Sequence, residues 1–324
     1  MWAYIVRRLL YTIPVVFGVL LITFILFNVV PGGNQASEMA GKAASAENIA
    51  EIKKEYGWDK PLLINLNAVG EHGILAAFDS QFFHHFKNAA SFNFKRSHKT
   101  RENILDMLIR GAPYSLALTV PMFLLTLSIA VCIALTVAFV RGTAWDVGIV
   151  FLCVFGMSLP YLAYILLGQY FFAFKLGWFP VTSHDHRWIG LALPILIGVT
   201  AGVGGDVRFY RTVMLDEMNA DYVRTAYAKG VTTPRALFVH VLKNAMIPVI
   251  TRVVLAIPFL FLGSLLLERF FGIPGLGDMT ISAINGRDFP VISAMTFIIS
   301  ILFVLGNLAT DICYSIVDPR ITLS

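Results

Sequence analysis

Six apolar segments, each near the length of a bilayer-spanning helix, constrain the fold of this chain more than any other feature of its sequence. A helix rises about 1.5 Å per residue, so about 20 apolar residues are needed to cross the hydrocarbon core of a membrane. The segments lie at about residues 8–30, 115–140, 147–173, 191–206, 246–267 and 291–316. The fourth is short and rich in glycine, which suits close helix packing. We therefore predict an all-α integral membrane protein with about six transmembrane helices.

The composition agrees with a membrane protein and excludes several other classes. Only 14% of the 324 residues are charged, whereas 57% are hydrophobic, which leaves too little charge to coat a soluble domain of this size. The formal net charge of +5 does not indicate nucleic-acid binding, because the basic residues are scattered through loops and form no patch with aromatics. Cys132, Cys153 and Cys313 lie inside apolar segments without ligand-like spacing, so we expect neither a disulfide framework nor a cysteine metal site.

The distribution of positive charge predicts the orientation of the spans. With the N-terminus in the cytosol, the short outer loops carry few basic residues and the cytosolic loops carry many, as the positive-inside rule requires. The outer set is Lys175, Arg187, Arg269 and Arg287; the cytosolic set is Arg7, Arg8, Arg141, Arg208, Arg211, Arg224, Lys229, Arg235, Lys243 and Arg320. We predict a first transmembrane helix at 1–30, an external segment at 31–113, and a five-helix core at 114–324 with a cytosolic loop at 207–245 and both termini in the cytosol.

The external segment is expected to be folded and partly helical. Its sequence favours helices at about residues 45–56 and 100–109. It also carries too many aromatic residues for a disordered tract: Trp58, Phe78, Phe82, Phe83, Phe86, Phe92 and Phe94.

A polar helix between the fourth and fifth apolar segments is predicted over Asp221 to Gly230. Asn219 is a candidate N-cap, and Asp221 lies in the first turn, where the helix dipole favours an anion. Lys229 is placed in the last turn, and Gly230 is expected to take the left-handed conformation that ends many helices.

A second helix is predicted to follow that glycine turn at once. Thr233 is its candidate N-cap, and Pro234 fits the first helical position, where no amide hydrogen is needed. The small residues Thr225, Ala226 and Ala228 in the preceding helix favour close approach by a partner protein. We prefer this docking role to an amphipathic helix that only anchors the loop at the membrane surface.

A polar cluster is predicted within the membrane near the end of the sixth segment. Asp311 needs a partner there, because an unpaired charge at the bilayer centre costs on the order of 2.5–3.5 kcal/mol. Arg208, Arg211 and Arg252 are the candidate partners, and Asn307, one helical turn before Asp311, is expected to join them. We interpret the cluster as structural ion pairing, since one carboxylate does not make a proton relay.

The sequence indicates neither a catalytic site nor a metal site. His184 and His186 supply only two imidazoles without a third ligand nearby, so we expect no metal site. No Walker lysine motif, nucleophile elbow or HExxH motif occurs, so the chain is expected to be a transport component rather than an enzyme. Any energy must come from a partner.

Several motifs spread over nearly the whole chain carry a family resemblance. They are Ile5-Val6-Arg7-Arg8-Leu9, Pro31-Gly32-Gly33, Tyr56-Gly57-Trp58-Asp59-Lys60-Pro61, Asp221-Tyr222-Val223-Arg224-Thr225-Ala226, Ala228-Lys229-Gly230, Asn244-Ala245-Met246-Ile247-Pro248, Glu268, Pro274-Gly275-Leu276-Gly277, Arg287-Asp288-Phe289-Pro290-Val291 and Val317-Asp318-Pro319-Arg320-Ile321. In their order and spacing, the chain resembles the inner-membrane permease subunits of bacterial ABC importers for dipeptides, oligopeptides and nickel. It is most similar to the first of the two permeases in such systems.

This resemblance implies an ABC importer permease fold that forms half of a translocation pathway for peptides or similar small solutes. It also implies that the helix near 219–230 is the coupling helix that docks on an ATPase. In the general E-A-A-x-x-x-G pattern of this region, Arg224 and Thr225 replace the glutamate and the first alanine, as peptide permeases commonly have R-T-A there. The implied coupling residues are Asp221, Tyr222, Arg224, Thr225, Ala226, Lys229 and Gly230.

The implied partners are a homologous second permease, two cytosolic ATPases that bind ATP and magnesium, an external solute-binding protein and the bilayer of the bacterial inner membrane. No cofactor is expected in this chain itself. Three alternatives stay open: a nickel or other small-solute permease of the same family, a secondary transporter, or a non-transporting membrane scaffold. A secondary transporter would need an inverted repeat, which is not visible in the sequence.

Overall fold

The computed structural model describes residues 2–26, 45–65, 77–183 and 188–317. In these residues the regular structure is helical, and the only β pairing is an isolated bridge between Arg96 and Asn103. The helices are α1 Trp2–Phe24, α2 Ala46–Tyr56, α3 Gln81–Ala90, α4 Ile104–Phe139, α5 Ala144–Ser158, α6 Tyr161–Gly168, α7 Trp188–Met218, α8 Asp221–Ala228, α9 Thr233–Arg235, α10 Leu242–Leu262, α11 Leu265–Phe271, α12 Leu276–Asn285 and α13 Phe289–Val317. Two π-helical turns, Gln169–Lys175 and Ala236–Val241, follow α6 and α9. The all-α prediction is therefore confirmed.

Four helical stretches in the described part of the chain are long and apolar enough to cross a membrane. They are Ile104–Phe139, Ile189–Met218, Thr233–Phe271 and Phe289–Thr310. The bent pair α5 and α6 would make a fifth span, and α1 contributes a shorter apolar stretch at Leu10–Phe24. The predicted first segment extends to residue 30, beyond the described residues.

The predicted third span is not one straight helix, because it breaks between α5 and α6. The chain bends there by 90°, with Leu159 in an extended conformation (ψ 132°) ahead of Pro160. Proline disfavours a helical conformation in the residue before it, which explains the position of the break. The Tyr164 hydroxyl donates to the Gly156 carbonyl across the bend at 2.9 Å. Gly156 and Pro160 therefore lie at a kink in the predicted third span.

The chain divides into two compact units. The first comprises Met1–Arg110 with Thr280–Val304, and the second comprises Gly111–Met279 with Leu305–Ser324. This division differs from the predicted boundaries at residues 30 and 113, which concern the membrane topology and stay a prediction.

Aromatic packing holds the first unit together. Phe82 of α3 lies edge-on to Phe17 and Phe24 of α1, with ring centroids 5.3 and 5.5 Å apart. Ser45 caps α2 by accepting from the Asn48 amide at 3.2 Å, and Gly57 ends it at φ +73°. The partly helical character predicted for this segment is confirmed in the described residues.

The predicted helix at 100–109 begins later than expected and does not end there. Arg101 has a left-handed conformation (φ +62°), and Asn103 Oδ1 accepts from the Leu105 amide at 2.9 Å. These two residues set the start of α4 at Ile104, and the helix continues without a break to Phe139. Asn103 is therefore the N-cap of α4.

In the described residues of the second unit, buried clusters pack the helices together. One joins α4, α6, α7 and α11 around Leu118, Ile165, Leu193, Leu267 and Phe271. Another surrounds Met214 at the end of α7, close to the helix α8 that the sequence singled out.

Candidate functional site

Helix α8 lies where the sequence places the polar helix, and its C-terminus has the predicted chemistry. Gly230 has φ +81°, and its amide donates to the Tyr227 carbonyl at 2.9 Å. The Val231 amide reaches the Ala226 carbonyl at 3.1 Å. This pair of bonds is the Schellman arrangement, in which a left-handed residue satisfies the last carbonyls of a helix.

The N-terminal details differ from the sequence-based expectation. Asp221 does lie in the first turn, but the N-cap is Ala220, which makes no side-chain cap bond. Asn219 Oδ1 instead accepts from Arg141 Nη1 at 3.2 Å. Lys229 is the C-cap rather than a last-turn residue.

The second predicted helix also begins one residue early. Thr232, not Thr233, precedes the first residue of α9, so Pro234 occupies the second helical position. The order of helix, glycine turn and helix is nevertheless as predicted.

Helix α8 has one buried edge and one exposed face. Val223 and Ala226 are 0% and 7% exposed. Val223 packs in a buried cluster with Met214 of α7, Ala138 of α4 and Leu237 of the following π-helical turn. Val223 therefore anchors α8 on its own unit, and Ala226 is buried and does not belong to the exposed face.

The exposed face carries the other candidate coupling residues: Asp221, Tyr222, Arg224, Thr225, Lys229 and Gly230. The Arg224 and Asp221 side chains are 73% and 95% exposed and 3.4 Å apart, so their ion pair contributes little to stability. The Tyr222 hydroxyl donates to Glu217 Oε2 at 2.5 Å. Burial, with the Glu217 carboxylate adding to it, raises the pKa of Tyr222 to about 12, so the phenol stays neutral at physiological pH. This face therefore offers two cations, one carboxylate and two hydroxyl groups to a partner.

An ion pair between half-buried Arg211 and buried Asp146 holds the end of α7 against the start of α5. Arg211 donates from Nε and Nη2 to Asp146 Oδ1 and Oδ2, each at 3.0 Å. Asp146, which is 5% exposed, also accepts from the Gly142 amide at 3.1 Å. Together with the bond between Arg141 and Asn219, this pair ties the turn between α4 and α5 to the chain that leads into α8.

For the polar cluster predicted around Asp311, the structure shows the partners of two candidate arginines. Arg211 pairs with Asp146, and Arg252 pairs with Asp206 at 2.5 Å while lying 4.6 Å from the centre of the Phe209 ring. Both arginines thus have acidic partners that the sequence reasoning missed.

The remaining members of that cluster are only partly described. Arg208 contacts Met157 Sδ at 3.8 Å, and Asn307 is half-buried. The Asp311 side chain lies outside the described residues, so its pairing stays a prediction.

A second buried centre surrounds Glu268 in α11, which is 0% exposed. Oε1 accepts from the Ser115 hydroxyl at 2.8 Å and the Ser264 amide at 3.1 Å. Oε2 accepts from the Gly277 and Asp278 amides at 2.7 and 3.1 Å. The carboxylate therefore joins α4, the start of α11 and the start of α12.

Glycine is required around this carboxylate for steric reasons. A Cβ at Gly277 would lie 2.8 Å from Glu268 Oε2, and a Cβ at Gly275 would lie 2.6 Å from Cδ. Sequence reasoning used Glu268 and Pro274-Gly275-Leu276-Gly277 only as family motifs. A charged residue in an apolar segment, followed closely by a glycine-rich turn, was the signal that could have linked them.

Comparison with known proteins identifies the family. Residues 130–323 match the family described as binding-protein-dependent transport system inner membrane component, and residues 1–119 match its N-terminal counterpart. The chain belongs to this family. It is therefore the permease subunit of an ABC importer, a multi-pass inner-membrane transport component.

Curated relatives align with the permease over almost its whole length. It is similar to the oligopeptide transport system permease protein AppB of Bacillus subtilis, with 33% identity over 99% of each chain. A putative peptide transport system permease of Brucella suis is 30% identical over 99% of each chain. The glutathione transport system permease protein GsiC of Escherichia coli is 32% identical over 98% of each chain.

The family also bears on the partners and metal sites of the permease. Membership in a binding-protein-dependent system implies ATPase and solute-binding partners. In the described residues, no three side chains of His, Cys, Asp or Glu come together as a metal site. His184 and His186 lie outside the described residues.

Proposed function

We propose that this permease forms half of a pathway for peptides or similar small solutes and receives the motion of an ATPase through α8. The relatives named above transport oligopeptides, peptides or glutathione, which supports a peptide-like solute. The other half of the pathway would be a homologous second permease. Two ATPases would bind ATP and magnesium, and this chain would need no cofactor of its own.

The proposed orientation puts α8 and both termini in the cytosol. It rests on the basic residues of the loops around α8, including Arg224, Lys229 and Arg235, as the positive-inside rule describes. The external solute-binding protein would then approach the opposite face.

The coupling role is supported by one observation: the short helix α8 is packed against its own unit on one side and exposes polar residues on the other. Val223 packs α8 against α4 and α7, while Tyr222, Arg224 and Thr225 are exposed. An eight-residue helix is too short to be stable alone, so its position is set by that packing.

The mechanism follows from this mechanical connection. ATP binding closes the ATPase pair and draws the two coupling helices together. Because α8 packs on Met214 of α7 and Ala138 of α4, its displacement moves the ends of these spans with it. The nucleotide thereby shifts the population of the permease pair from inward-facing to outward-facing.

Charge reversal at Arg224 tests the docking face. The Arg224 side chain is 73% exposed and belongs to no buried cluster, so Arg224→Glu should leave the fold intact. We expect weaker co-purification of the ATPases and lower solute-stimulated ATP hydrolysis in reconstituted membranes. Lys175→Glu, at the end of the π-helical turn after α6, is the control. Normal assembly and hydrolysis in the Arg224 variant would exclude this face as the docking surface.

A further inference from the structure

A buried carboxylate in the first unit joins the segment before α4 to the start of α13. Asp288 is 3% exposed and accepts from the Ser97 hydroxyl and from the amides of His98 and Lys99, the last two at 3.1 and 3.3 Å. Ser97 is fully buried, and its Oγ in turn accepts from the Thr100 amide at 2.9 Å. The backbone of this segment is thus fixed at several points.

This connection brings the Lys99 side chain to the backbone of Gly286. A Cβ on Gly286 would lie 2.9 Å from Lys99 Cδ and 3.2 Å from Lys99 Nζ, so the lysine side chain crosses the backbone of the residue that precedes Arg287. Arg287 itself has φ +52°, a conformation that L-residues seldom adopt and that costs about 1–2 kcal/mol. Lys99 and Arg287 are both exposed.

The surface formed by Arg96, Lys99 and Arg287, here called the basic surface, is exposed, and no acidic side chain in the described part of the chain pairs with it. Among the described residues, none of these three side chains forms an ion pair. The nearest acidic residues along the chain have other partners. Glu102 pairs with Arg110, and the Asp288 carboxylate accepts hydrogen bonds from the backbone of the segment before α4. Asp106 lies in the first turn of α4, where the helix dipole stabilises it.

We propose that the basic surface is a docking site for acidic side chains of the external solute-binding protein. The proposal rests on the proposed orientation, which puts these residues on the external side. A binding-protein-dependent permease must receive a soluble partner there. An unneutralised positive surface attracts an acidic partner over a distance comparable with the Debye length and selects against basic ones.

A protein partner fits the geometry better than anionic lipid headgroups. The Asp288 bonds fix the Lys99 backbone, and the Lys99 side chain lies against the backbone of Gly286. Mobile headgroups do not need cations at fixed spacing, whereas a folded acidic surface does.

The test uses the complete transporter in nanodiscs of zwitterionic lipid, together with its purified binding protein. In the double variant Arg96→Glu with Lys99→Glu, we expect affinity for the binding protein to fall about tenfold or more at low salt, and its salt dependence to become weaker. The neutral pair Arg96→Gln with Lys99→Gln should show a smaller loss in the same direction. Lys53→Glu, an exposed lysine of α2 in the same unit, is the matched control and should bind normally.

Separate readouts distinguish this proposal from the proposed function. ATPase co-purification and hydrolysis without binding protein should be unchanged in all variants, and these measurements report on α8. Unchanged affinity for the binding protein in the charge-reversal variant would overturn the proposal. So would a loss of retention on phosphatidylglycerol vesicles with normal binding-protein affinity, because that result assigns the surface to lipid.

Discussion

Replacing Glu268 by glutamine tests whether the buried carboxylate acts as an acceptor for four donors. In the permease, Oε1 receives the Ser115 hydroxyl and the Ser264 amide, and Oε2 receives the Gly277 and Asp278 amides. A glutamine at this position keeps the shape of the side chain but replaces one acceptor oxygen by an NH₂ donor.

The expected loss of stability depends on which of its two possible orientations the glutamine side-chain amide takes. With its NH₂ group at the Oε2 position, two backbone amides lose their acceptor, at about 1–3 kcal/mol each. With the NH₂ group at the Oε1 position, the Ser264 amide loses its acceptor, while the Ser115 hydroxyl can turn to accept. The second orientation is cheaper, and removal of a buried charge also lowers its desolvation cost. We therefore expect a net loss of about 1–3 kcal/mol.

Thermal unfolding of the purified transporter in one detergent measures this effect. Glu268→Gln should lower the Tm, and Glu268→Ala should lower it further because all four donors lose their acceptor. The control is Glu51→Gln, the same chemical change at an exposed position of α2. If Glu268→Gln unfolds at the Tm of the parent, the four contacts do not require an acceptor-only carboxylate and the reasoning is refuted.

Two further substitutions test the α8 region. Gly230→Val should reduce ATP-driven transport without preventing membrane insertion: no atom lies within 4 Å of a Cβ there, so the cost, about 1–2 kcal/mol or more, comes from φ +81° alone. Gly230→Asn should transport better than the valine variant, and equal transport by both would exclude backbone conformation as the cause. Arg211→Ala should destabilise the transporter by about 3–5 kcal/mol in thermal unfolding, because Asp146 stays buried without its charged partner. Arg208→Ala, which removes no ion pair among the described residues, is its control, and an equal Tm for the two variants would contradict the assigned role of the pair.

Structural features that depend only on residues close together in sequence could be predicted. The apolar segments locate the helices, because a span must bury about 20 residues in lipid whatever its partners. The end of α8 at Gly230 was also predictable, because the need for a left-handed residue at a helix C-terminus depends only on residues close in sequence. The same holds for Pro160, which breaks the third segment, although hydropathy gives no measure of its 90° bend.

Side-chain partners far apart in sequence could not be assigned in this way. Arg211, Arg252 and Asp311 are charges in apolar surroundings, and their number showed that pairs must form, but spacing along separate helices does not fix which acid faces which base. In the structure, Asp146 pairs with Arg211 and Asp206 pairs with Arg252. The burial of Ala226 was likewise not predictable, because it depends on how α8 packs in the folded chain.

Three buried carboxylates, Asp146, Glu268 and Asp288, show how distance along the chain limits prediction. Each lies near an end of a helix and accepts backbone amides from a connecting segment. Helix ends and turns leave amides without partners, and a buried carboxylate satisfies several at once. Asp146 receives the Gly142 amide four residues away, so a local reading of the sequence could have found that bond. Glu268 reaches Ser115 across 153 residues and Asp288 reaches His98 across 190, so only the folded chain brings them together.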